Sequence, residues 1–211
     1  MDGVDSLTGL SVTLGVLVLL GVLAARGYVV QRRQLSSGRK LCVVRLLRDG
    51  PGLAATALVS ISAVGQWCRV LLALRIQGEH QERSRPLGGE VGMVVGTPYD
   101  LTLANRAGDV LVHEAGTLAR FAARMGGSSS SWSLLSRERS SWTHHGTVAL
   151  LEFVPRQAGV HRIALRVDVR AEVQTRWSRS WCEVLEAELS VAEGVEPLSR
   201  SARYPHRRVE L

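Results

Sequence analysis

Lysine is nearly missing from this chain: Lys40 stands alone among 26 lysines and arginines. A Schiff-base lysine, a phosphate-loop lysine or an acetylation switch would each have to use that one residue. Three cysteines in 211 residues exclude a disulfide scaffold. No Walker loop, GxGxxG, GxSxG or CxxC occurs. His113-Glu114 opens like a zinc-protease motif, but Thr117 takes the place of the second His, and the ligand pair fails. Ser37-Gly38-Arg39-Lys40 fits SxxK only by spacing, in a basic stretch with no pocket to hold it. What is present is apolar: 45% hydrophobic against 21% charged residues, enough for one packed domain and an anchor.

The anchor is Leu7 to Ala25, nineteen residues without a charge. At 1.5 Å per residue they span the ~30 Å hydrocarbon layer. A cleaved signal peptide calls for a basic n-region, whereas Asp2 and Asp5 stand there and Ala24-Ala25 run into Arg26. Residues 1–30 are therefore read as an N-terminal segment with a single transmembrane helix over about 7–29. Tyr28 sits where an interfacial aromatic would.

Charge flanks this helix. Residues 31–50 carry Arg32, Arg33, Arg39, Lys40, Arg45 and Arg48 against Asp49, and they read as a basic juxtamembrane stalk. The positive-inside rule puts the bulk of the chain in the cytoplasm. Arg32, Arg33, Arg39 and Lys40 suit anionic headgroups. Residues 51–193 are nearly neutral, with 15 bases and 14 acids, which disfavours nucleic-acid binding. Leu53 to Leu74 is a rival second span. Gln66 and Arg69 at its centre favour strand-turn-strand instead.

Residues 51–193 read as strands. Ile163, Leu165, Val167, Val169, Ala171 and Val173 share one parity, against Ala164, Arg166, Asp168, Arg170, Glu172 and Gln174. Leu185, Ala187, Leu189 and Val191 alternate likewise, as do Cys68 to Ile76. Shorter candidates lie at 57–63, 91–95, 99–104, 109–114 and 147–154, with Asn105 to Gly108 as a hairpin turn. The spacing predicts an all-β fold: an antiparallel β-sandwich of about eight strands. One short helix is expected from Thr117 through Leu118, Phe121, Ala122 and Met125. A Ser-rich loop is expected over 126–146, and a basic, solvated C-terminal tail over 194–211.

Phe153-Val154-Pro155-Arg156-Gln157-Ala158-Gly159-Val160-His161-Arg162-Ile163-Ala164-Leu165 resembles the corner-and-strand segment of immunoglobulin-like and fibronectin-type sandwiches. His161 stands where those domains often carry Tyr. The resemblance covers about thirteen residues and implies fold, with binding or scaffolding as its usual use.

Trp132, Leu134, Leu135 and Trp142 in the Ser-rich loop are candidate partner-binding residues. The competing reading folds them back as a lid on an open sandwich end. His144 and His145, joined by His113 or His161, are weak metal candidates beside a plain reading as solvated histidines. Trp67-Cys68 and Trp181-Cys182 echo each other. Cys68 falls on an apolar face and Cys182 on a polar one, so a bridge between them would need a bulge, and three free thiols are favoured. No catalytic residue or cofactor is nominated. The expectation is a non-enzymatic, single-pass membrane protein whose sandwich acts as an accessory subunit, with another membrane or membrane-associated protein as partner. The alternative is a tethered ligand- or metal-binding sensor.

Overall fold

A computed structural model describes residues 34–82, 97–118, 139–174, 178–198 and 207–211. Residues up to Ser37 form a unit of their own, in which Ser37 donates from both its N–H and its Oγ to the Gln34 carbonyl. No helix among the described residues is long and apolar enough to cross a membrane, and residues 7–29 lie outside them.

The unit from Gly38 onward is built of strands. They are β1 (Arg39–Arg45), β2 (Leu47–Asp49), β3 (Gly52–Ile61), β4 (Cys68–Glu82), β5 (Pro98–Ala104), β6 (Val110–Thr117), β7 (Arg139–Val154), β8 (Gly159–Asp168), β9 (Arg170–Gln174), β10 (Ser178–Glu193) and β11 (Arg207–Glu210). One sheet runs β1-β10-β4-β7-β11, with β9 also on β10; the other runs β2-β3-β8-β5-β6. All pairs are antiparallel except β11 on β7. The all-β expectation holds, and Leu53 to Leu74 is indeed strand, turn and strand.

The strand order β1-β10-β4-β7 facing β3-β8-β5-β6 is that of a jelly roll. In the immunoglobulin arrangement the last two strands are neighbours in one sheet. Here the last two long strands, β8 and β10, lie in opposite sheets, so the likeness over 153–165 is that of a local turn and an alternating strand.

Two strands change sheets along one edge. Leu46 donates its N–H to Ala187 of β10, while the next residue, Leu47, pairs with Ala54 of β3. Val169 donates to Pro51 and accepts from Val184 N–H, so the long strand expected over 163–174 becomes β8 in one sheet and β9 in the other. Its alternation is unbroken because the dry face stays inward through the switch.

The core lies between the sheets. Leu53, Ala55, Ala57, Val59 and Ile61 of β3, Ile163, Leu165 and Val167 of β8, and Leu101 and Leu103 of β5 are buried on one side. Val70, Leu72, Leu74, Ile76, Phe153, Leu189 and Val191 are buried on the other. Each buried Val, Leu, Ile or Phe side chain contributes about 1.5–3 kcal/mol by leaving water, and the alanines less.

Three expectations change. The stalk over 31–50 holds β1 and β2, edge strands whose charges suit an unpaired edge. The loop over 126–146 gives way to β7 at Arg139. The tail over 194–211 is anchored: Val195 and Leu198 are buried, and β11 adds to β7. Thr117, expected as a helix cap, ends β6, and Leu118 donates its N–H to Thr97; the rest of the expected helix lies outside the described residues, as does 91–95.

Candidate functional site

The strands give the two sheets two unlike ends. At the entry end stand Gly38 and the turns 62–67, 105–109 and 155–158, together with 194–198. At the far end lie the β2–β3 turn, the last residues of β4, the first of β5 and β7, and the β9–β10 connection. Segments 83–96 and 119–138 are therefore bounded on both sides by far-end strand termini. Trp132, Leu134 and Leu135 fall in the second segment and lie outside the described residues. Trp142 is on β7, its backbone in register with Gly78 of β4. Arg32 and Arg33 also lie outside the described residues, and Lys40 is exposed on β1.

Arg39 is committed within the fold. It pairs with the Glu193 carboxylate and donates to Ser62 Oγ at 3.1 Å. Ser62 N–H (3.1 Å), Ser62 Oγ (3.1 Å) and Ala63 N–H (3.3 Å) also donate to that carboxylate. Burial opposes its charge, but the bonds from Ser62, Arg39 and Ala63 win, and Glu193 is held below the usual carboxylate range. Gly38 sits under this cluster with φ +87°; a Cβ there would lie 2.6 Å from the Glu193 carbonyl oxygen.

A second cluster was not anticipated from the sequence. Arg69 and Glu152 face each other across β4 and β7, on the outer side of the sheet, with fully buried side chains. Arg69 Nε donates to Glu152 Oε1 at 2.8 Å, and Nη2 stands 2.7 Å from the same oxygen. Arg69 Nη2 also donates to the Glu196 carbonyl, and Leu198 N–H donates to Oε1 at 3.1 Å. Arg208 Nε donates to Oε2 at 2.9 Å, its guanidinium 5.8 Å from the Trp67 ring centre. The chain end thus covers an ion pair that would otherwise face water. Arg207, one residue earlier, donates to the His113 carbonyl (3.2 Å) and the Glu114 carboxylate (3.3 Å) on β6, joining the two sheets at that edge. A signal for this was present: one arginine inside the apolar run 53–74 demands a buried carboxylate partner.

The histidines whose side chains are described do not converge. His113 lies on the outer face of β6, 2.9 Å from Asp100 Oδ2. His145 is exposed on β7 opposite Arg75. His161 is buried on the inner face of β8, Nδ1 3.2 Å from the Gly159 carbonyl. The backbone of His144 is in register with Ile76. No group of three metal-ligating side chains occurs among the described residues.

Cys42, Cys68 and Cys182 form no disulfide. Burial, aided by the Glu193 charge, pushes Cys68 up to about 12, and burial also raises Cys42 and Cys182. At neutral pH they are protonated and poor nucleophiles. Cys182 is buried rather than on the polar face, because the extra residue Leu185 shifts the register of β10 on β4 between Val184 and Glu186. Cys182 then faces Gly78, ten residues along β4 from Cys68, or about 33 Å at strand rise. No disulfide could span that distance.

No family model matches the chain, and no curated protein matches its sequence.

Proposed function

We propose that this chain is a non-enzymatic, single-pass membrane protein whose β-sandwich acts as an interaction subunit of a membrane-associated complex. The helix expected over 7–29 tethers it, and the charge flanking that helix favours a cytoplasmic sandwich. Tethering raises the effective concentration of a modest binding face. The observation that carries the reading is the polarity of the fold. β1 begins at one end, and the strands that bound 119–138, the segment of Trp132, Leu134 and Leu135, terminate at the other, with Trp142 on β7. A candidate binding segment bounded by strand termini opposite the start of β1 supports a protein as its target. The sensor alternative rested on four histidines, and those whose side chains are described occupy different faces.

The test uses the full chain purified in mild detergent at natural abundance. A defined partner should co-purify in fixed stoichiometry. Replacing Trp132, Leu134, Leu135 and Trp142 by Ser should release it while leaving the strand-dominated circular dichroism unchanged. A chain that purifies alone, or a partner retained by the quadruple variant, contradicts the proposal.

A further inference from the structure

The sheet β2-β3-β8-β5-β6 turns one face to the core and the other to water. Alternation and register set the water-facing side chains in rows across four strands. Leu58, Arg162, Ala104 and Val110 form one row from β3 to β6, and Ala54, Arg166, Asp100 and Ala115 form another. Between them lies the row Thr56, Ala164, Thr102 and His113. Large apolar side chains stand at opposite margins, Leu58 72% and Val110 60% exposed. Asp100 Oδ2 lies 2.9 Å from His113 Nε2 on the β6 side. Arg166 leans toward β3, its Nε 3.4 Å from where a Cβ on Gly52 would lie. Asp168 and Asp49 stand at the far-end margin, and Arg106 and Asp109 on the turn beyond the entry-end margin.

We propose that two copies of the chain dock through this face, about a two-fold axis that runs along the strands between β8 and β5. The axis carries β3 onto the second copy's β6 and β8 onto its β5, so every contact occurs twice. Leu58 meets the second copy's Val110, Ala54 its Ala115, Thr56 its His113 and Ala164 its Thr102. Arg166 meets Asp100, Arg162 meets Ala104, and Asp168 falls at the level of Pro98. No two like charges face each other.

The neighbouring axes lack this match. A two-fold on β8 would oppose Arg162 to Arg162 and Arg166 to Arg166, and one on β5 would oppose Asp100 to Asp100. A two-fold across the strands through the middle row would set Arg162 on Arg166. Like-charge juxtapositions of this kind are what exclude wrong docking modes. Four strands about 4.8 Å apart and about eight residues long at ~3.3 Å per residue give about 500 Å² per copy. The pair then buries about 1,000 Å², which reaches the size of a specific interface. The face belongs to the unit from Gly38 onward and owes nothing to the tether. An axis along the strands also keeps the two β1 starts at one end and the strand termini that bound 119–138 at the other, so the candidate binding segments are presented as a pair.

Sedimentation velocity of the purified full chain in mild detergent, at micromolar concentration, reads the number of copies per particle. The parent should sediment as a dimer. Leu58→Arg, Asp100→Arg and Arg166→Asp should each sediment as monomers with the strand-rich circular dichroism unchanged; Leu58 is exposed enough that its replacement leaves the fold intact. An equal mixture of Asp100→Arg and Arg166→Asp should regain the dimer, because each chain supplies the charge the other lacks while the contacts inside each chain stay as they were. A monomeric parent leaves the face to a different protein and overturns the proposal. A dimer that survives all three substitutions is held elsewhere in the chain and overturns it too, as does a mixture that remains monomeric.

Discussion

Arg69 is the residue on which the fold turns most sharply. A guanidinium with no exposed surface tolerates burial only while Glu152, the Glu196 carbonyl and the surrounding chain satisfy it. Removing one member of such a pair leaves an uncompensated charge. Glu152→Ala is expected to cost about 3–5 kcal/mol in chemical denaturation. Arg208→Ala, which leaves Arg69 paired, should cost about 1.5–3 kcal/mol. The exposed Arg45–Glu186 pair, at 4.0 Å, should be worth less than about 1 kcal/mol. A Glu152→Ala variant as stable as the parent would remove the cluster from the account. Glu193 makes a prediction with a sign. Its carboxyl is held below the ordinary value of 4.5, so the unfolded chain takes up its proton first as pH falls. The stability it adds is present above that value and drains away as pH drops through it toward the folded pKa. Glu193→Gln should flatten this acid limb in denaturation midpoints measured from neutral pH downward; an unaltered limb would assign the loss to other carboxylates.

At the scale of elements, alternation made most strands legible. Residues 68–76, 99–104, 147–154 and 185–191 fall within strands, 109–114 does so from Val110, 163–174 does so on either side of Val169, and Asn105 to Gly108 turns as its composition implies. What alternation hides is a change of partner or of phase. The switch at Val169 leaves parity intact, so one pattern reads as one strand. The bulge at Leu185 inverts parity, so Cys182 and Val184 read as polar-face residues and are buried. Edge strands β1, β2 and β11 were illegible for a third reason: their arginines mimic a solvated stalk and tail. The phase inversion is testable. Val184→Ala should cost about 2 kcal/mol in thermal or denaturant unfolding, and Leu185→Ala clearly less. The reverse order would return β10 to unbroken alternation.

For the whole molecule, the strand order joins sequence to role. A jelly-roll path sends every β7-to-β8 and β3-to-β4 crossing to the entry end, and places the bounds of 83–96 and 119–138 at the other. Neither end could be identified from the sequence, because a period of two fixes faces and says nothing of which strands are neighbours. The Ser-rich segment and the basic flank were visible as composition; that the strands bounding 119–138 end opposite the start of β1 required the topology. The proposed tether requires that the apolar run 7–25 hold the chain in the membrane. Alkaline carbonate extraction of the full chain and of Leu17→Arg/Leu19→Arg tests this most directly, since each arginine near mid-span costs at least ~2.5 kcal/mol. The parent should stay with the membrane, and the double variant should pass to the soluble fraction with its strand-rich circular dichroism intact. A parent that is extracted, or a double variant that remains with the membrane, would contradict the account.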